Sequence, residues 1–348
     1  MQASENAADK NTTTTDASVK KVVKTAAETP ADAMANTSAN TSANSTADPK
    51  RRWIELLAFL VTVLVIMCIA SWISDPIRTA DYRRLNERDI YVGSALLEPE
   101  NSIDLAVLGD SEAMVLISPA HFAEAGISAY IIGQSGQSTS EAYYALKRFC
   151  KKQDPKVILF EPDTLVDDSN GRRELIEVFD ASAYELFPIL RHHGTWKIAA
   201  GLAEPKDMTH FRGFAKRMKV KSYEGGAYMA PSDRAEPIPF LSRVYMDKIC
   251  RLCKKEGIEM ILVSAPAPLH FTYEKHNAIA KLAEEEGLTY IDFNLMQDEI
   301  GLDWAADMLD GGDHVNMTGS VKMSEYLIPY LKKRFDLPDR RRQIDMGP

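Results

Sequence analysis

Apolar residues are distributed very unevenly along this chain. The first 48 residues contain no Leu, Ile, Phe, Trp or Tyr, and they repeat Ala-Asn-Thr-Ser at Ala35–Ser38 and Ala39–Ser42. So little apolar surface cannot offset the entropy of ordering a chain, and residues 1–49 read as a disordered tail. From Trp53 to Ile73 the pattern inverts into an apolar run whose only charge is Glu55. About 20 such residues make a helix that spans the hydrocarbon layer. Trp53 and Trp72 fall near its ends, where indoles favour the membrane interface. The run is long and no small-residue cleavage site follows it, which favours a retained transmembrane helix at 53–73 over a cleaved signal peptide.

After a juxtamembrane linker at 76–100 the pattern changes again. Ile103–Leu108, Ala129–Ile132, Val157–Phe160, Glu259–Ser264 and Thr289–Phe293 have the composition of buried parallel strands. Helical patterns lie at Ser138–Lys152, Leu241–Glu256, Tyr273–Glu286 and Thr318–Phe335. Ser138 or Ser140 would cap the first, Gly287 would stop the third, and Thr318 would cap the last. Such alternation implies one α/β domain at 101–335, with a parallel sheet covered on both faces. The stretch at about 164–240 breaks the alternation with aromatic residues among many charges. It reads as an insertion or cap over the active edge. Residues 336–348 read as a C-terminal tail.

Charge sets the orientation. Lys50, Arg51 and Arg52 directly precede the span, and Lys20, Lys21 and Lys24 lie upstream. The positive-inside rule therefore puts the tail in the cytoplasm and the domain outside the cell membrane. A net charge of -9 argues against nucleic-acid partners, which usually require a basic footprint. Cys250 and Cys253 form a Cys-x-x-Cys with no second pair or His cluster to complete a zinc site. Two thiols packing on one helix face is the simpler reading, and a redox role stays open.

Ligands of parallel α/β sheets gather at the carboxyl ends of the strands. Ser111 follows the first strand there, in Gly109-Asp110-Ser111-Glu112. Asp163 follows the third. The loop Asp310-Gly311-Gly312-Asp313-His314 follows the fifth. A serine hydroxyl becomes a good nucleophile when a base accepts its proton, and His314 is the candidate base. Asp310 or Asp313 would orient its imidazole, with Asp310 ranked first because two glycines let it turn back. Backbone amides of Ser111 and of Gly133 or Gly136 would form an oxyanion hole. Glu112, Gln134, Asp163 and Asn316 are candidate substrate contacts. No metal and no cofactor is required. The adjacent His192 and His193 would point apart on a helix, and no role falls to His121, His210, His270 or His276.

Over roughly residues 100 to 335 the chain resembles the SGNH (GDSL-type) hydrolase superfamily. Three blocks stand in that family's order: Gly109-Asp110-Ser111, Gly133-Gln134-Ser135-Gly136-Gln137-Ser138, and His314-Val315-Asn316-Met317-Thr318-Gly319. With the alternation of elements this implies a flavodoxin-like three-layer sandwich on a five-stranded parallel sheet. The resemblance makes Ser111 the nucleophile, His314 the base, and Gly133 or Gly136 the second oxyanion donor. The anchor and outward domain are similar to the membrane-bound branch that handles acyl groups on cell-envelope polysaccharides. That branch includes the D-alanyl transfer protein of teichoic acid modification and alginate-acetylation proteins. Its members often work beside a multi-spanning membrane O-acyltransferase. The implied activity is that of a serine esterase or O-acyltransferase, with a non-catalytic partner of such an acyltransferase as the alternative. Two positions depart from the family's pattern. Gly311 stands three residues before His314, where the family has Asp. Phe160-Glu161-Pro162-Asp163 lacks the family's oxyanion Asn.

Overall fold

The computed structural model of the protein describes residues 49–75, 90–166, 171–204, 211–215 and 217–344. The expected disordered tail, the linker as far as residue 89, and His210 lie outside the described residues. Pro49–Ser74 forms helix α1, long and apolar enough to cross a membrane. Its most apolar stretch has a mean hydropathy of 2.8 and is only 6% buried, unlike a core helix of a soluble domain.

The remaining elements are α2 (Ile90–Ala95), β1 (Leu105–Leu108), α3 (Pro119–Glu124), β2 (Ala129–Ile131), α4 (Thr139–Phe149) and β3 (Val157–Phe160). Then come α5 (Gly171–Leu186), α6 (Pro188–His192), α7 (Thr195–Ala199), α8 (Phe240–Glu256), β4 (Glu259–Ser264), α9 (Tyr273–Glu286), β5 (Thr289–Asp292) and α10 (Met317–Arg334). All five strands pair in parallel, in the order β2-β1-β3-β4-β5. Each expected strand is present, within two residues of its expected ends. Alternate strand residues enter two apolar clusters. Ala106, Leu108, Ile158, Phe160 and Leu262 pack with residues of α4, α8 and α9. Leu105, Val107, Leu159, Ile261 and Val263 pack with Phe122 of α3 and with Met323, Leu327 and Leu331 of α10. Burial on both faces explains why the strands read as continuous apolar runs.

The strand order reverses direction between β1 and β3, which opens a crevice beyond their carboxyl ends. Local chemistry fixes the flanking helices. Ser138 and Glu141 form a reciprocal capping box at the start of α4. Gly257 and Gly287, both left-handed, end α8 and α9. Cys250 and Cys253 are buried in the core on α8, where burial pushes both thiols up to about 12.

Three expectations need correction. The insertion at 164–240 is not one cap. Its helix α5 packs on α4 and α8, with α6 on α5, and Arg212 then donates from Nε to Ala129 O at the edge strand β2. Only residues 217–239 wall the loops beyond β5, with Lys221 N donating to Met308 O and Tyr223 N to Trp304 O. The supposed C-terminal tail is partly folded: Arg340 Nε donates to the buried Asp104 Oδ1 at 2.7 Å. Finally, Asn316 and not Thr318 caps α10. Its Oδ1 accepts from Thr318 N and Gly319 N, while its Nδ2 donates to Ala306 O and Met308 O. The exposed Thr318 is thus the second helical residue.

Replacing Asn316 removes a cap and strands two carbonyls. We expect Asn316→Ala to lower unfolding stability by about 2 kcal/mol in urea titrations, and Thr318→Ala to change it by less than about 0.5 kcal/mol.

Candidate active site

The site begins where β1 ends. Gly109 has φ +135°, and a Cβ there would lie 2.7 Å from Glu161 Cβ. Only glycine lets the chain leave the strand this close to β3. Asp110 then accepts from Glu112 N through Oδ1, starting a short 3-10 turn over Ala113–Val115. Ser111 is half-buried, and its Oγ donates to Glu112 Oε2 at 3.1 Å.

The loop before α10 brings the candidate base. Gly311 and Gly312, with φ of +93° and +120°, fold Asp310 back over its own loop. Asp310 Oδ1 accepts from Asp313 N at 3.1 Å and from His314 N at 2.9 Å. Asp310 Oδ2 lies 2.7 Å from His314 Nδ1, and Asp313 Oδ2 lies 3.3 Å from the same nitrogen. Both candidate carboxylates are therefore in reach, Asp310 at the shorter distance. His314 Nε2 is buried without a hydrogen-bond partner, 3.9 Å from Glu112 Oε1. The Ser111 hydroxyl is bonded to Glu112 and not to His314.

A second histidine completes the cluster. His270 Nε2 lies 3.0 Å from Glu112 Oε1 and 3.5 Å from Asp163 Oδ2, and its Nδ1 lies 2.8 Å from Asp313 Oδ1. Sequence reasoning assigned it nothing. Its signal was positional: it ends the Pro-rich loop Ala265-Pro266-Ala267-Pro268-Leu269 that leaves β4 at the same sheet edge. Lys275 on α9 was also missed, and its Nζ lies 2.8 Å from Asp163 Oδ1.

The expected substrate contacts fare differently. Asn316 is consumed by the α10 cap. Asp163 is held by Lys275, and Glu112 by Ser111 and His270. Gln134 is buried, with its amide donating to Gly109 O and its Oε1 lacking a partner. Gly133 is corrected as an oxyanion donor, since its amide already donates to Val107 O at 3.0 Å. A Cβ on Gly133 would lie 2.8 Å from Gly109 O, so this glycine serves backbone approach. Gly136 lies in an exposed turn with φ +59°. His192 is buried and His193 exposed, consistent with side chains pointing apart.

Six carboxyl groups crowd this crevice: Asp110, Glu112, Glu161, Asp163, Asp310 and Asp313. Burial, then the charges of Glu112 and Asp163, raises the Glu161 carboxyl well above its usual range. Asp110 is raised likewise, by burial and then by Glu112 as hydrogen-bond partner and charge. Burial also lifts Asp163, outweighing Lys275. Glu112 goes the other way. Burial opposes its ionisation, but hydrogen bonds from Asp110 and His270 and the nearby imidazoles hold it well below the usual range. His270 is raised by its hydrogen bond to Glu112, against partial burial and with support from Asp163 and Asp313. Burial pushes Asp310 up, but the hydrogen bonds from the His314 amide and imidazole prevail and lower it. With both nitrogens facing carboxylates, the protonated form of His270 is favoured, which would place a positive charge between Glu112 and Asp313.

No protein-family model matches the chain, and no curated protein matches it.

The shift of His270 carries a pH dependence. The unfolded side chain titrates near 6.5 and the native one higher, so protonated His270 stabilises the fold below 6.5. That contribution is lost as pH rises through the native value. Asp110 and Glu161, also raised, act in the same direction but persist in His270→Gln. In melting curves from acid to alkaline pH, the stability advantage of wild type over His270→Gln should be constant at acid pH and shrink as pH rises. An advantage independent of pH would remove the imidazolium.

Proposed function

We propose that the protein is a membrane-anchored serine esterase or O-acyltransferase, acting on acyl esters of a cell-envelope polysaccharide. The observation that carries this reading is the Asp310–His314 pair at 2.7 Å, with His314 Nε2 buried and unpartnered beside the Ser111–Glu112 turn. Ser111 Oγ attacks the ester carbonyl while His314 Nε2 takes its proton. Asp310 holds Nδ1–H and stabilises the imidazolium. Amides of Ser111 and Gly136 receive the oxyanion. Collapse of the tetrahedral intermediate expels the alcohol, which takes the proton from His314 and leaves an acyl-Ser111. Water or a sugar hydroxyl then accepts the acyl group. In the resting arrangement Ser111 donates to Glu112, so the first step needs a rotation of its side chain that hands this bond to His314.

The wider reading rests on the SGNH resemblance. Strand order and apolar packing on both sheet faces support a flavodoxin-like three-layer domain. The basic residues before α1 support a cytoplasmic N-terminus and an outward domain at the cell membrane. A multi-spanning membrane O-acyltransferase is the partner this arrangement suits. A second reading, a non-catalytic binding or assembly partner of such an enzyme, is favoured by the Ser111–Glu112 bond and the committed Gly133 amide.

A serine-directed phosphonate separates the two. We expect it to label wild type at Ser111 and not to label Ser111→Ala. A folded wild type that stays unlabelled would favour the binding-partner reading.

The roles of the two carboxylates differ by geometry. Asp310→Asn should slow phosphonate labelling by about a thousandfold or more without unfolding the domain, and Asp313→Asn should cost much less. Equal losses would mean that the imidazole is oriented by both.

A further inference from the structure

The outward face of α5 is apolar. Leu175, Ile176, Phe179 and Leu186 recur along it at helical spacing and are 63%, 51%, 71% and 69% exposed. The inward face carries buried Glu174 and Ala181, and Glu174 Oε1 accepts from Ser242 N. An ordinary surface helix shows the reverse pattern. Leu190 of α6 and Trp196 of α7 extend the exposed apolar surface beyond α5. Exposed apolar surface on this scale, absent from most soluble monomers, marks a binding face.

The chain itself indicates what covers it. Ile189 N of α6 donates to Ser71 Oγ in the last turn of α1. Ser71 is buried by this contact, whereas Trp72 and Ile73 beside it are 64% and 59% exposed. If α1 spans a bilayer, Trp72 marks the interface, and α6 is held at that level. Arg172 and Lys197 are exposed around the apolar face, and Arg173 beside them pairs with Glu177 at 2.9 Å; cations at this border are placed to meet lipid headgroups.

We infer that the α5–α7 face seats in the headgroup–acyl boundary of the membrane that α1 crosses. The inference rests on α1 as a span and is independent of chemistry at Ser111. The occupant is lipid, because a face tied to the end of the span meets the bilayer surface before any soluble partner.

The test places p-benzoylphenylalanine at Phe179 in the full chain, reconstituted in mixed phosphatidylcholine and phosphatidylglycerol vesicles. Parallel proteins carry it at Leu64 within α1 and at the exposed Lys332 of α10, which packs on the other sheet face. After irradiation, mass spectrometry should find lipid adducts at 179 at least about tenfold above those at 332, with strong adducts at 64. Adducts at 64 but none above background at 179 would overturn the seating while leaving the span intact. A 179 adduct to a second copy of the chain would overturn it in favour of self-association. Loss of adducts at both 64 and 179 would overturn the span and the seating together.

Discussion

Glu112 keeps a carboxylate 4% exposed between two imidazoles, and its ionisation organises the crevice. An isolated buried carboxylate costs several kcal/mol and normally takes up a proton instead. Its neighbours shift the other way: burial raises Asp110 and Glu161, and Asp110 is a hydrogen-bond partner of Glu112. His270 supplies the compensating charge. Because its other nitrogen reaches Asp313, the same imidazole ties the loop beyond β5 to the turn beyond β1. Ser111, His314, Asp310 and Asp313 therefore share one electrostatic unit with Glu112 and His270, and a change of charge at any member is felt by all.

Ser111 is restrained by this unit as much as positioned by it. Its hydroxyl points to a carboxylate that is both buried and ionised, so leaving Glu112 exposes that oxygen to a loss of hydrogen bonding. The unpartnered Nε2 of His314 offers the compensating acceptor. The balance between these two acceptors decides whether the hydroxyl is available as a nucleophile.

The sheet was legible because buried parallel strands leave short apolar runs bounded by turn residues, and each of the five runs is a strand. The order of the blocks placed Ser111 and His314 at one edge, and the glycine pair singled out Asp310. What was not legible depends on contacts distant in sequence. His270 looked like a solitary histidine until β4 carried it to Glu112, 158 positions away in the chain by subtraction of their numbers. Asn316 looked available because a helix cap and a polar contact have the same composition. Gly133 looked like a donor because glycine also marks close approach of backbones, which is its role against Gly109. The insertion was misread for a related reason: α5 carries its apolar residues outward and Glu174 inward, and sequence alone does not say which face meets the core.

Arg340 closes the fold at the end opposite to this crevice. Its guanidinium meets Asp104, and its backbone amide donates to Gly126 O. The two side chains are 236 positions apart. Asp104 lies directly before the interior strand β1, so the first strand made is completed by a residue 236 positions further along the chain. Until Arg340 reaches it, that carboxylate stays without this guanidinium. Locking of the domain by this pair is therefore a late event of long loop closure.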